Sequence, residues 1–294
     1  MSPRWSHPSL DEGHLDMPHG HSDTNERRTG LWLGIIILAL TLGGVASTVV
    51  ARARWWLPPL ASVHGREIDQ MFYLTLWITG ALFVLVHVLL GLFVWRYGAV
   101  GEGRAHFLHD HRPLELTYTI IPAIGMTVLV SLSGIVWTKI HSAPPSNALV
   151  VDVRGEQFAW VARYPGADGA FGRIEPKLIA QANPLGLDPA DGQATDDVTS
   201  RELHLVVNRP VLIRLRSRDV LHSFFVAEFR VKQDAVPGMT VELWFTPTRE
   251  GVYDLACAEL CGVGHYTMRG RVRVESQAAF DAWLARQKPA LGSP

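Results

Sequence analysis

The residues best suited to chemistry lie in one short stretch of the chain. Within twelve residues it holds two thiols, an imidazole and a thioether, and its two cysteines are the only ones among 294 residues. Thiolate, imidazole and weak thioether ligands are typical of copper electron-transfer sites, whereas calcium and magnesium prefer oxygen ligands. This density of soft donors therefore predicts a copper site formed by Cys257, Cys261, His265 and Met268.

The spacing of the two cysteines favours two metal ions over one. Cys261 follows Cys257 by four residues, so in a loop that folds back both thiolates can bridge a pair of copper ions. Each ion then needs only one histidine and one weak axial donor. His265 is one histidine, and the best candidate for the other is His222, which we expect to end a strand beside the loop. Two bridged ions share the charge change of one electron, which suits a fast relay.

Three other interpretations of the stretch stay open at this point. A disulfide between Cys257 and Cys261 is possible on the oxidising side of a membrane, but it leaves His265 and Met268 unexplained. Zinc accepts two cysteines and two histidines, yet it gains nothing from the methionine. The third interpretation is chance clustering.

The motif C-x-E-x-C-x3-H-x2-M, preceded by D-V-L-H-S at residues 219–223, resembles the dinuclear copper (CuA) motif of subunit II of haem-copper cytochrome c oxidases. The resemblance covers roughly residues 66–286. It implies that Cys257 and Cys261 bridge two copper ions and that His222 and His265 each cap one. It also implies two axial ligands, Met268 and the backbone carbonyl of Glu259, and a magnesium ion that the Glu259 carboxylate reaches at the boundary with the catalytic subunit.

Composition limits the class of protein. A hydrophobic content of 48% and a mean hydropathy of +0.12 leave room for membrane spans beside one ordinary core. A net charge of −1 argues against nucleic acid as a partner. Residues 1–30 read as a polar tail, expected to be disordered, with metal scavenging as an alternative role for its histidines. These are His7, His14, His19 and His21.

Three apolar runs predict membrane helices. Residues 31–50 are an extra N-terminal transmembrane helix or a signal peptide, since the small residues around Arg52 fit a cleavage pattern. Residues 68–138 form a transmembrane helical hairpin, in which Pro122 should bend the second helix. The connection of the hairpin is basic and therefore cytoplasmic, with Arg96, Arg104, His106, His109, His111 and Arg112. The protein is thus expected in the bacterial inner membrane, with its C-terminal domain on the periplasmic side.

Glu115 opens the last of these helices. The run Glu115 to Pro122 resembles the family motif E-x-x-W-T-x-x-P, with Tyr118 in place of the tryptophan. The resemblance implies that Glu115 lies at the cytoplasmic mouth of a proton pathway into the catalytic subunit. The alternative is a carboxylate that only stabilises the first turn of the helix.

Residues 144–290 read as an all-β domain with strands separated by Gly, Pro and Asp. Alternating patterns predict a sandwich or Greek-key barrel, and the resemblance implies a periplasmic cupredoxin CuA domain whose metal loop joins the last two strands. Residues 166–200 read as a solvated surface excursion, with a docking surface as the alternative, and Ser276 should cap a short helix packed on the barrel. The predicted strands are residues 149–153, 158–164, 203–207, 211–215, 241–245 and 272–274.

Two positions depart from the family pattern. Phe158 occupies the position of the tryptophan that takes electrons from cytochrome c in the family, while Trp160 keeps a second tryptophan. Arg218 stands beside Asp219, where acidic residues are common, so a lysine-rich cytochrome c is disfavoured here. The chain has no Cys-x-x-Cys-His motif, so the donor is expected to be a separate protein.

Together the motifs and the resemblance imply an enzyme subunit, subunit II of a haem-copper terminal oxidase, with two copper ions and a magnesium ion shared with subunit I. Its expected partners are subunits I and III, membrane lipid and a c-type cytochrome or another electron carrier. Oxygen chemistry and proton pumping would take place with haem in subunit I. A relay domain like that of nitrous oxide reductase and a membrane-anchored copper-binding or assembly protein are the alternatives; the membrane spans disfavour the first and the paired thiols the second.

Overall fold

The computed structural model describes residues 23–98 and 110–291. The described chain forms two compact units. One contains the first helix with the second helix from Trp77 onwards; the other contains Leu57–Leu76, the third helix from Leu116 and the whole β domain. Several positions singled out in the sequence lie outside the described residues: His7, His14, His19, His21, Arg104, His106 and His109.

Three helices precede the β domain: α1 Asp23–Arg54, α2 Val63–Tyr97 and α3 Arg112–Ile140. By length and composition each is able to cross a membrane. The helices extend beyond the apolar runs on which the predictions rested, because backbone hydrogen bonding continues into polar flanks. α3 runs through Pro122 as one helix, and none of its side chains is buried.

Helix α1 lies against α2 through glycines. A Cβ atom on Gly34 would stand 2.8 Å from the carbonyl oxygen of Gly91, and one on Gly91 would stand 2.8 Å from Leu38 Cγ. Backbones can approach this closely only where side chains are absent, which is the usual basis of helix association in lipid.

The β domain consists of two five-stranded sheets that enclose one core. The strand orders are β3-β2-β1-β5-β8 and β4-β10-β9-β6-β7. Both sheets mix parallel and antiparallel pairs, so that strands distant in sequence become neighbours, as β1 does with β5. The strands are β1 Leu149–Glu156, β2 Ala159–Tyr164, β3 Val198–Ser200, β4 Glu202–Val206, β5 Val211–Ser217, β6 His222–Val226, β7 Val231–Ala235, β8 Val241–Phe245, β9 Gly251–Cys257 and β10 Arg269–Glu275.

All six predicted strands are present, as β1, β2, β4, β5, β8 and β10, and the metal loop joins the last two strands as expected. Four strands were missed because their sequences are short or interrupted by polar residues, as in Lys232 and Asp234 of β7. The expectation that His222 ends a strand is wrong: it is the first residue of β6. Residues 218–221, which precede this histidine, therefore lie in the turn between β5 and β6.

The excursion between β2 and β3 is more ordered than a solvated loop. Asp197 is fully buried, and its carboxylate accepts a hydrogen bond from Arg163 Nε at 3.1 Å. A small second core of Leu185, Leu187 and Ala194 forms beneath the excursion. This second core was not predicted, because the excursion is mostly polar and its apolar residues are few and widely spaced.

The C-terminal helix α4, Gln277–Leu284, forms as predicted. The Ser276 hydroxyl accepts a hydrogen bond from the Ala279 N–H, which satisfies one of the free donors of the first turn. Phe280 is buried in the main core, and Trp283 and Leu284 pack against it.

Candidate metal centre

Strand pairing brings the two ligand-bearing segments together. β6 runs antiparallel to β9 with Phe224 opposite Cys257, so His222 at the start of β6 lies beside the end of β9. The loop between β9 and β10 is closed at its base, where the Cys257 N–H donates to the Met268 carbonyl at 3.2 Å. A 3-10 turn at His265–Thr267 follows. Because side chains three residues apart eclipse in such a turn, it places His265 and Met268 on the same side.

The sulfur and nitrogen atoms converge. The Sγ atoms of Cys257 and Cys261 are 3.8 Å apart, and both cysteines are free thiols, so they do not form the disulfide of about 2.0 Å considered above. Each thiol has its own imidazole: Cys257 Sγ lies 3.9 Å from His222 Nδ1, and Cys261 Sγ lies 3.6 Å from His265 Nδ1. Met268 Sδ lies 3.6 Å from Cys261 Sγ.

This arrangement fits a thiolate-bound metal. Bonds of about 2.3 Å to sulfur and about 2.0 Å to nitrogen let one ion span gaps of this size. His222, Cys257 and Cys261 form a group whose ligand atoms all lie within 4.8 Å of one another. The carbonyl oxygen of Glu259 lies 3.2 Å from Cys257 Sγ. The nearby Met268 thioether favours copper over zinc, which rarely uses that ligand.

Most of the donor atoms are shielded from water. His222, Cys261 and Met268 are 0%, 3% and 1% exposed, while His265 is half-buried. Burial, together with the adjacent thiol of Cys257, raises the pKa of the Cys261 thiol to about 11. The metal-free site is therefore protonated at Cys261 at neutral pH, and binding of a metal releases that proton.

A carboxylate orients His222. Asp219 Oδ1 lies 2.7 Å from His222 Nε2, which leaves Nδ1 facing Cys257. Partial burial alone would raise the pKa of Asp219, but hydrogen bonds from His222 and from the N–H groups of Gln157 and Val220 hold it below its ordinary value. Such carboxylate–histidine pairs fix ring orientation at metal sites. The sequence signal for Asp219 was its position three residues before the histidine.

Phe158 and Trp160 border the centre. Trp160 is 3% exposed, and its ring lies edge-on to His222 with centroids 6.0 Å apart. Phe158 is half-buried and packs against the metal loop, where a Cβ atom on Gly264 would stand 2.5 Å from its ring. Gly155 leaves room for His222, since a Cβ there would lie 3.0 Å from the imidazole. No role was predicted for these two glycines, because a close approach between distant segments leaves no local sequence pattern.

Glu115 is not among the residues brought to this centre. It lies in the first turn of α3, where its Oε1 accepts a hydrogen bond from the His111 N–H at 3.2 Å. The same histidine accepts a hydrogen bond at Nδ1 from the Leu114 N–H at 3.2 Å. This reciprocal arrangement caps the helix.

The fold and the site define a cupredoxin-like domain that follows three helices able to cross a membrane and carries a group of soft ligands able to hold a metal. Residues 149–275 match the family described as the periplasmic domain of cytochrome c oxidase subunit II. The alternative cytochrome c oxidase subunit 2 of Bradyrhizobium diazoefficiens is 36% identical over 262 residues, covering 88% of this chain and 93% of that protein. Subunit 2 of Cereibacter sphaeroides is 31% identical over 244 residues, covering 78% and 79%.

Among solved structures, the periplasmic domain of subunit II of cytochrome oxidase from Bradyrhizobium japonicum is similar, with 28% identity and a TM-score of 0.36 over 48% of this chain and 94% of that one. On the sequence relationships, this chain belongs to the cytochrome c oxidase subunit 2 family. It is therefore a subunit of a haem-copper terminal oxidase, an oxidoreductase. Membership of the family implies copper, and the His222, Cys257 and Cys261 group is able to hold a metal.

Proposed function

We propose that this chain is the subunit through which electrons reach the oxidase. It accepts them one at a time from a c-type cytochrome or similar carrier and passes them to haem in subunit I, where oxygen is reduced to water and protons are pumped. The observation that carries the proposal is the pair of thiols 3.8 Å apart, each beside its own imidazole. A single-copper electron-transfer site, with one thiolate, two imidazoles and a weak thioether, needs no second thiol.

These contacts support the ligand roles that we propose for the six groups. The thiolates of Cys257 and Cys261 would hold both copper ions, and the imidazoles of His222 and His265 would hold one each. The Met268 thioether and the Glu259 carbonyl would be the weak donors that complete the set. When bound, the two ions supply a one-electron couple whose charge change is shared between them. The strands hold the donors in place and burial keeps water away, so little has to rearrange when the charge changes.

The surface beside the ligand loops determines which electron donor can dock there. Phe158 contacts the metal loop, whereas Trp160 is buried and does not reach a docking partner. Electrons therefore enter past Phe158 and continue by way of Trp160 or the loop itself. Arg218 is 42% exposed and pairs with Glu156 at 3.0 Å, which neutralises that carboxylate. A lysine-rich cytochrome c therefore meets little negative charge here, and the natural donor is a carrier with a different contact face.

Two carboxylates outside the copper ligands have separate roles in this proposal. The side chain of Glu259 is half-buried and makes no hydrogen bond or ion pair within the described ranges, so it is available to a magnesium ion shared with subunit I. Glu115 passes protons into a pathway of subunit I. Its capping of the first turn of α3 holds the carboxylate in a fixed position.

The protein lies in the bacterial inner membrane as a multi-pass chain, assembled with subunits I and III, with the β domain on the periplasmic side. We infer that α1 is a retained transmembrane helix, since the close glycine contacts with α2 serve no purpose in a cleaved signal. The intact mass of the purified subunit tests this. A mass that corresponds to a chain beginning after Arg52 would contradict retention of the helix.

Electron paramagnetic resonance of the purified oxidase tests the copper centre. The expected signal is an electron spin shared over two coppers, with two copper ions per chain at this site. Cys257→Ser and Cys261→Ser should each abolish that signal and oxidase turnover, whereas Met268→Leu should mainly shift the potential because axial bonds are weak. One copper, or none, would favour a copper-carrying assembly protein, and full cytochrome oxidation by either serine variant would overturn the relay.

A further inference from the structure

One residue, Gln157, connects the two segments that carry the metal-binding residues. Gln157 lies in the turn between β1 and β2. Its backbone N–H donates to Asp219 Oδ2 at 2.8 Å, and its side-chain Nε2 donates to the Cys261 carbonyl at 2.6 Å. Asp219 in turn holds His222. Gln157 therefore contacts the histidine segment through one group and the cysteine loop through another.

The side-chain amide of the exposed Gln157 lies in close contact with the loop. A Cβ atom on Gly262 would stand 2.8 Å from Nε2, and Gly262 has a φ of 131°, so a residue with a side chain is disfavoured there for two reasons. The Cys261 carbonyl has no other hydrogen-bond donor in the described part of the chain. The neighbouring Phe158 packs on Gly264, which fixes the other end of the same loop.

Apart from this connection, the two segments are joined through their paired strands and through the Ala258 N–H, which donates to the Ser223 carbonyl at 2.9 Å. His222 is held by Asp219 in the turn before β6, while Cys261 and His265 lie in a loop after β9 that projects beyond the last paired residues. Movement of the loop relative to the turn would change the distances between the two thiol–imidazole pairs. A donor that bonds to both segments restrains that movement.

We propose that Gln157 is a positioning residue that locks the histidine turn and the cysteine loop into one unit and so sets the geometry of the metal centre. The proposal rests on the copper centre described above. Residues that orient ligands without touching the metal typically change metal affinity about 10–100-fold when they are replaced. The Gln157 side chain should therefore control the rate of copper loss and the shape of the copper spectrum.

Two substitutions in the intact oxidase separate the hydrogen bond from packing. Gln157→Met keeps the length of the side chain but removes the donor. Gln157→Glu places an acceptor opposite the Cys261 carbonyl, so its effect should be the larger. Neither substitution removes the backbone bond to Asp219. The matched control is Gln193→Met, an exposed glutamine in the excursion whose side chain makes no hydrogen bond within the residues described.

We expect copper to transfer to a chelator about 10–100-fold faster from Gln157→Met than from the wild type, with altered copper hyperfine splitting. The Gln193→Met variant should stay within about twofold. Circular dichroism and retention of subunit I show whether each variant is folded and assembled. An unchanged spectrum and release rate in Gln157→Met or Gln157→Glu would overturn the positioning role, as would lower thermal stability with an unchanged copper spectrum. A wild-type oxidase without the shared-spin signal would instead refute the copper centre itself.

Discussion

Gly264 provides a quantitative test of how the metal loop is packed. Its φ of −95° is open to any residue, so alanine meets no backbone strain there. A Cβ atom would, however, stand 2.5, 2.7 and 2.8 Å from three ring carbons of Phe158. Carbon atoms normally rest about 3.5–4.0 Å apart, so the ring must retreat by about 1 Å. Overpacking of this kind costs about 1–3 kcal/mol.

Thermal unfolding of the metal-free chain in detergent, followed by circular dichroism, measures this cost without a contribution from bound metal. For a domain of this size, the melting temperature is expected to fall by about 2–4 °C for each kcal/mol of unfolding free energy that is lost. Gly192→Ala is the matched control, since a Cβ there meets nothing within 4 Å. In a Phe158→Leu background the Gly264→Ala cost should largely disappear, a coupling of roughly 1–3 kcal/mol. Equal costs in both backgrounds would refute the contact with Phe158.

Three further outcomes are expected. Arg163→Met should destabilise the β domain by about 3–5 kcal/mol in chemical denaturation, because it leaves the buried Asp197 carboxylate unpaired; a loss below about 1 kcal/mol would contradict this. Because the pKa of Asp219 is lowered from 3.8, its ionised form stabilises the fold above that pH and the stabilisation is lost as pH falls through the lowered value. Asp219→Asn should flatten that acid limb of the stability profile and alter the spectrum of the His222-bound copper, and an acid limb identical to that of the wild type would contradict it. Glu115→Gln keeps an acceptor for the helix cap, so it should leave α3 intact yet slow proton uptake in the oxidase; unchanged turnover would leave Glu115 with a capping role alone.

The sequence alone was sufficient for the features that depend on local pattern. Three apolar runs predicted the membrane helices because a helix must satisfy its own backbone in lipid. Apolar residues at every second position predicted the strands that bury one face, such as β8. The soft donors between Cys257 and Met268 indicated copper, because their spacing needs only one loop to bring them together.

Features that depend on contacts between distant segments were decided by the tertiary structure. His222 meets Cys257 across 35 residues of sequence, and Gln157 meets Cys261 across 104. No local periodicity specifies such contacts, since they arise from which strands pair and in what register. For the same reason the burial of Asp197 could not be predicted: its sequence is that of a polar loop, and only the packing of that loop onto Arg163 removes it from water.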